Sequence, residues 1–351
     1  EELVEVTGAH IDSCLYHGRA GLDFAEKLVE LGARVRIPTT LNVGSLDLMH
    51  PGTVRADEEH PDLLTAGRAL MDAYVAMGAR ATFTCAPYQV DARPGLGEHV
   101  AWAESNAIVF ANSVLGARTD RYGDFLDICA AITGRAPRAG FHLDNARRAD
   151  FVIDVSAVAS HRWDDSAWYA VLGHLLGGLA GQRVGAIVGL PSSTNEDDLK
   201  ALGAAAASGG GVGLFHAVGV TPEAPTLAAV VAQGDPEVHV LTDADLVAAR
   251  RGLCTADGSR IDAISLGTPH ASLTEIRALA EEVERTATVV AADVTAYVST
   301  GRGVLALADA AGLVEPLKAA GLTFVVDTCT YLVPILPEGT RVVMTNSGKW
   351  A

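Results

Sequence analysis

Short apolar runs along this chain alternate with stretches in which apolar residues recur every three or four positions, the signatures of strand and amphipathic helix. The second half is the more regular. VHVLT (238–242) precedes DADLVAARRG, whose Gly252 suits a helix stop, and IDAISLG (261–267) leads into ASLTEIRALAEEVERT. There Ser272 and Glu275 have the spacing of a capping box, and Ile276, Leu279, Ala280 and Val283 share one helix face. TVVAAD (288–293), a helical stretch VLALADAAGLVEPLKAAG, LTFVVDT (322–328) and RVVMTN (341–346) complete the series. Strands joined by helical crossovers predict a mostly parallel sheet wrapped by helices, an α/β fold.

The first half predicts strands at 3–7, 33–38, 81–86 and 107–112 and helices at 20–31 and 65–77. The Pro-, Gly- and charge-rich stretch 50–62 reads as a surface loop. A middle segment follows, with strands near 151–155, 184–189 and 212–218. GRAPRAG (134–140) and EAPTLAAVVAQGDPE (223–237) read as boundaries, dividing the chain into α/β units at 1–136, 137–235 and 236–351.

Composition narrows the class. With 351 residues, 49% apolar and 20% charged, the chain can bury several cores of an ordinary globular enzyme. Aromatics are only 5% while Gly is abundant, so helices should pack closely through small side chains. A formal charge of −17 argues against nucleic acid, which needs a basic patch; Arg147 and Arg148 read as a solvated helix end. No apolar run is long enough for a membrane span, and LGHLLGGLAG (172–181) reads as a buried helix. Five scattered cysteines do not suggest a disulfide framework, and a reducing cytoplasm is the expected compartment. No secretory signal opens the chain, and both ends look abrupt, so residues are expected beyond each.

SGGGVG (208–213) precedes a strand instead of following one, the wrong order for a dinucleotide site, and no GxSxG, Walker A or HExxH motif occurs. Three reactive positions do follow short apolar runs: Cys85 in TFTCAPY, Thr268 in ISLGTPH and Cys329 in VVDTCTY. Loops at strand carboxyl ends are where open α/β folds assemble sites, so these three suggest a metal or iron–sulfur centre. Other polar residues in such loops are His216, His270, Asn112, Ser113 with Arg118 close behind, and Asn346, Ser347 and Lys349.

Taken together, AHIDSCLYHG, PTTLNVGSLDL, TCAPYQ, WAESNAIVFANSVLGARTDR, FHAVGVTPEAPT, LGTPHASL, VDTC and TNSGKW resemble the large subunit of the aconitase X family, in the family's order over essentially the whole chain. The resemblance implies an aconitase-like multi-domain architecture with the site in a cleft between domains. It implies a dehydratase of a small hydroxy acid, of the cis-3-hydroxy-L-proline or mevalonate 5-phosphate type. It also implies metal ligands at Cys85, residue 268 and Cys329, holding a 2Fe–2S or 4Fe–4S cluster or mononuclear iron. Ser347, Lys349 and His270 become catalytic candidates. His10, Asn42, Asn106, Asn112, Ser113, Arg118 and His216 become substrate-binding candidates, with Arg118, Lys349 and Ser347 suited to a carboxylate. Asp12 is expected beside His10. The catalytic base of the superfamily is a serine on a swivelling domain, whose signature this chain lacks; a small partner subunit or further sequence is expected to supply it.

Thr268 departs from the pattern, because a threonine hydroxyl is a harder donor than thiolate. Asp120 departs too, where Asn is expected. The leading expectation is a hydro-lyase acting on a 3-hydroxyproline, a branch favoured by the Ala-, Arg- and Gly-rich composition. The alternatives are mevalonate 5-phosphate dehydration, a metal-free relative with another elimination or isomerisation, and an iron-responsive binding protein, which the acidic charge disfavours.

Overall fold

The computed structural model describes residues 2–55, 61–231, 234–258 and 260–351. Parallel sheets dominate, as the alternating pattern predicts. Among the described residues, one sheet orders its strands Thr39–Leu41, Ala9–Ile11 and Ala101–Trp102, all parallel. A second runs Phe215–Ala217, Gly185–Val188, Phe151–Asp154, Glu237–Val240, and a third Leu322–Val325, Thr295–Thr300, Ala263–Ala271, Val343–Thr345. Both are parallel throughout. A two-stranded antiparallel pair, Leu3–Glu5 with Arg135–Pro137, ties the start of the chain to the end of its first third. Each large sheet has its own apolar core, around Leu70 and Tyr74, around Leu172 and Phe215, and around Ile276 and Leu317.

Several elements depart from expectation. Residues 107–112 form no strand: the Glu104 carboxylate accepts the Ala107 N–H and starts a helix, Ser105–Val109, continued by a wide turn Phe110–Val114. The run is buried on all sides, so its pattern carries no period to separate helix from strand. Residues 33–38 are irregular, with the Val35 and Arg36 N–H groups capping helix ends at Met77 and Ala131. Residues 81–86 lie beside Leu41, but Phe83 takes φ +43° and interrupts the extended conformation. The strand expected at 288–293 lies later, at Thr295–Thr300, and the helical stretch after it divides into Arg302–Ala310 and Val314–Ala319. Part of the expected loop 50–62 (56–60), and part of the expected boundary 223–237 (232–233), lie outside the described residues. The division at 236 is also corrected, since Glu237–Val240 pairs with Phe151–Asp154 and Leu246 joins the middle core.

Small residues do set the helix packing. Helices Ala167–Ala180 and Glu196–Gly210 touch so closely that a Cβ on Gly173 would lie 2.1 Å from the Leu202 carbonyl oxygen. Arg147 is no solvated helix end: it is buried, pairs with Glu223, and donates to Asn112 and to the Phe141 carbonyl.

Candidate active site

The carboxyl ends of the first and third sheets converge on one cavity of about 240 Å³. From the first sheet come Asp12, just after Ala9–Ile11, Asn42, just after Thr39–Leu41, and Glu104, two residues after Ala101–Trp102. From the third come Thr268, inside Ala263–Ala271, Cys329, after Leu322–Val325, and Lys349, after Val343–Thr345. Cys85, Ser105, His17 and Tyr331 complete much of the wall. The strand carrying Thr268 bulges there, its register shifting between Leu266 and Ala271. Gly267 permits the bulge with φ +82°, and a Cβ on it would lie 2.0 Å from the Ser299 carbonyl oxygen.

Cys85, Cys329 and His270 are all buried, with their donor atoms within 4.8 Å of one another. The His270 backbone N–H donates to Cys85 Sγ at 3.2 Å. The His270 ring is committed: Nε2–H donates to the Thr328 carbonyl (3.1 Å), so Nδ1 accepts from the Thr84 hydroxyl (2.9 Å). Burial holds this imidazole neutral, its pKa lowered to about 4. The Cys329 thiol is pushed well up, first by its hydrogen bond with Cys85 and then by burial. Thr268 Oγ1 is buried in the same wall with no hydrogen-bond partner. Two thiols and an orphaned hydroxyl, backed by an imidazole whose ring nitrogens are both engaged, fit a metal centre with mixed sulfur and harder ligands.

In the same cavity, Lys349 Nζ reaches Glu104 at 2.8 Å and Ser105 Oγ at 3.3 Å. Burial works against the Glu104 charge, but the Lys349 ammonium and N–H donors from Ala107 and Asn106 outweigh it, and the carboxyl sits below its ordinary range. Lys349 is likewise opposed by burial yet held well up by Glu104. Asp12 has no such cation among the described residues. Burial, then the facing Glu104 charge, push its carboxyl up to about 7 against the Asn42 hydrogen bond. Asp127 fixes its backbone, accepting the N–H groups of Asp12 (2.8 Å) and Ser13 (3.1 Å).

Of the candidates from the sequence, the structure therefore gathers Cys85, Thr268, Cys329, His270, Lys349, Asn42 and Asp12. Asn106 sits behind the wall, its amide donating to the Cys85 carbonyl at 3.0 Å and the Tyr88 hydroxyl at 2.9 Å. The Ser347 hydroxyl closes its own turn, accepting from the Lys349 and Trp350 N–H groups. The remainder lie elsewhere. Arg118 pairs with Asp144 and donates to the His142 carbonyl, so its guanidinium is occupied away from the cavity. Asn112 bonds Thr119 and Gly213, Ser113 accepts the Phe215 N–H, and His216 donates to the Arg147 carbonyl; all three join the middle sheet to its surroundings. His10 is buried against Trp102 and bonded to Thr40. Asp120 accepts the Arg121 N–H and packs on Gly140, capping a turn. Glu104 was missed, although it is the one Asp, Glu, Lys or Arg between positions 99 and 117 and so a buried charge in waiting.

Comparison with known proteins places this arrangement among relatives. The Aconitase X first-domain profile matches residues 1–145, the second-domain profile 149–251 and the third-domain profile 261–351. The chain is 44% identical to cis-3-hydroxy-L-proline dehydratase of Pseudomonas aeruginosa and 42% identical to that of Hypocrea jecorina, over 100% of its own length in both cases. It spans 60% and 59% of those two relatives. It is 38% identical to the phosphomevalonate dehydratase large subunit of Methanothermobacter thermautotrophicus, over 100% of this chain and 84% of that one. Its fold matches the crystal structure of Thermococcus kodakaraensis aconitase X (holo-form) with TM-score 0.87 and 34% identity, over 99% of this chain and 84% of that one.

Proposed function

The chain belongs to the aconitase X family, and on that footing we propose that it is the metal- and substrate-holding part of a hydro-lyase acting on cis-3-hydroxy-L-proline. The observation that carries the reading is the meeting of Cys85 and Cys329, from the first and last parts of the chain, beside the orphaned Thr268 hydroxyl in the cavity that the Glu104–Lys349 pair also lines. When bound by Cys85 and Cys329 with Thr268 adjoining, iron, alone or in a small cluster, would supply Lewis acidity to the departing hydroxyl. The chain's own residues do the rest. Lys349 presents an ammonium to the substrate carboxylate, and Ser105 and Glu104 hold that ammonium in place. Asp12 offers a carboxyl able to exchange a proton near neutral pH.

Charge on the wall favours hydroxyproline over a phosphorylated substrate. The lining carries two carboxylates, Asp12 and Glu104, one ammonium, Lys349, and no arginine among the described residues. That set suits a zwitterion, whose ring ammonium can face Asp12, better than a phosphate dianion. We assign the base that takes the proton from carbon to a domain beyond these residues: the hydroxyproline dehydratases are longer than this chain, and the archaeal relatives are called large subunits. The test is anaerobic purification with iron and acid-labile sulfide analysis, followed by a screen of hydroxyprolines with and without the remaining domain. Iron and turnover of cis-3-hydroxy-L-proline are expected, both lost in Cys85→Ser and Cys329→Ser, with activity falling by about a hundredfold or more. Full activity in iron-free protein would overturn the metal reading, and turnover of mevalonate 5-phosphate alone would overturn the substrate.

A further inference from the structure

We infer that Asp47 and Asp327 form a reciprocal latch that holds the Cys329 loop against the first sheet, making both positioning residues for the thiol pair. The inference rests on the metal reading proposed above. Asp47 lies in the loop after Thr39–Leu41, and Asp327 lies two residues before Cys329. Each carboxylate accepts a backbone N–H from the other's loop: Asp47 Oδ2 takes Val326 N–H at 3.1 Å, and Asp327 Oδ2 takes Leu48 N–H at 3.0 Å. A third bond in the same place runs from Gly44 N–H to the Asp327 carbonyl at 2.7 Å. The exchange joins loops some 279 positions apart in the chain.

Both carboxylates are buried, and each is held from its own side as well. Asp47 Oδ1 accepts the Met49 and His50 N–H groups at 3.0 and 2.8 Å. Asp327 receives both Arg302 Nε and Nη2, the latter at 2.7 Å, and its φ of +65° aims the carboxylate back across the junction. Asp and Asn tolerate that backbone region better than most residues. Val43, in the latched loop, packs with Cys85 and Cys329 in one small cluster. The latch therefore ties the Cys329 loop to the segment that follows Leu41, whose carbonyl accepts the Thr84 N–H at 3.1 Å one residue before Cys85, so it bears on the distance between the thiols through that neighbour.

Two substitutions separate positioning from bulk stability. Asp47→Asn keeps one oxygen for its own turn but turns an NH₂ toward the Val326 N–H. Asp327→Asn keeps the backbone conformation but loses the Arg302 ion pair. Asp150→Asn is the control, because Asp150, an exposed carboxylate, accepts the Val184 N–H at 2.9 Å beside the middle sheet, a bond of the same kind in the part of the chain that carries neither thiol. Metal-free chain is titrated with Co(II), whose thiolate charge-transfer absorption reports sulfur ligation, and separately treated with diamide to follow formation of a Cys85–Cys329 disulfide. The parent and Asp150→Asn are expected to bind Co(II) through both thiolates. Asp47→Asn and Asp327→Asn are expected to bind about tenfold more weakly and to form the disulfide about tenfold more slowly. Parental affinity and disulfide rate in both latch variants would overturn the latch while leaving the metal reading intact. Equal weakening in Asp150→Asn would overturn it as well. If the parent bound no Co(II) through sulfur, the metal reading would fail, and the disulfide rates alone would decide the latch.

Discussion

Asp12 is a carboxyl whose environment works against its charge. Burial and Glu104 push it up to about 7, so between the ordinary carboxylate range and about 7 the folded chain binds a proton that the unfolded chain has released. Folded stability therefore falls as pH rises through that window. Replacing Asp12 by Asn is expected to leave stability nearly unchanged at pH 4 and to raise it at pH 8 by more than about 1 kcal/mol, since a tenfold change in proton affinity is worth about 1.4 kcal/mol. Denaturant unfolding at the two pH values measures this; equal effects at both would mean the carboxyl ionises normally. Residue type and motif singled out Cys85, Thr268, Cys329 and Lys349, and the fold brings the four to one cavity. They misled at Arg118, His216, Asn112 and Ser113, because polar loop residues after strands also serve to join elements, and type alone does not reveal which partner they meet.

At the scale of elements, the bulged strand Ala263–Ala271 matters most, because it presents Thr268 from inside a sheet. Gly267→Ala would place a methyl 2.0 Å from the Ser299 carbonyl oxygen at φ +82°. We expect it to destabilise the chain by about 2–4 kcal/mol and to weaken metal binding in whatever protein still folds. Unfolding midpoints and metal titration check this, and an unchanged midpoint would mean the strand relaxes freely. Helices were well read: the capping box at Ser272 and Glu275 is present, as are helices Arg19–Glu30 and Leu63–Ala76. Strands of the first sheet were not, because they are only two or three residues long and wholly buried, leaving too few positions for any alternation.

Across the whole molecule, the Glu104–Lys349 pair joins residues 245 positions apart in the wall of the cavity. Both side chains are largely buried, so removing one partner leaves an uncompensated charge. Lys349→Met alone is expected to cost about 3–5 kcal/mol, whereas the double variant with Glu104→Gln should recover much of the loss. A double-mutant cycle in denaturant reads the coupling, and simple additivity would mean the pair does not hold the two parts together. Behind the cavity, buried Lys200 from the middle part pairs with Asp197 at 3.0 Å and with Glu275, and approaches the His270 carbonyl at 3.4 Å. All three parts of the chain therefore bear on the bulged strand that carries Thr268 and His270.

The sequence by itself determined the α/β class, most helices, most strands of the second half and the family, and it proposed the reactive residues that family motifs single out. These follow from periodicity and from residue types placed in local order. Only the tertiary structure decided that Glu104 and Lys349 meet, that Asp12 is left without a cation among the described residues, and that Arg118 is spent on a surface pair. Those outcomes depend on which loops arrive at the same strand ends, and on how much water is excluded there. Such contacts join residues between 26 and 245 positions apart, and no local pattern encodes the distance between them.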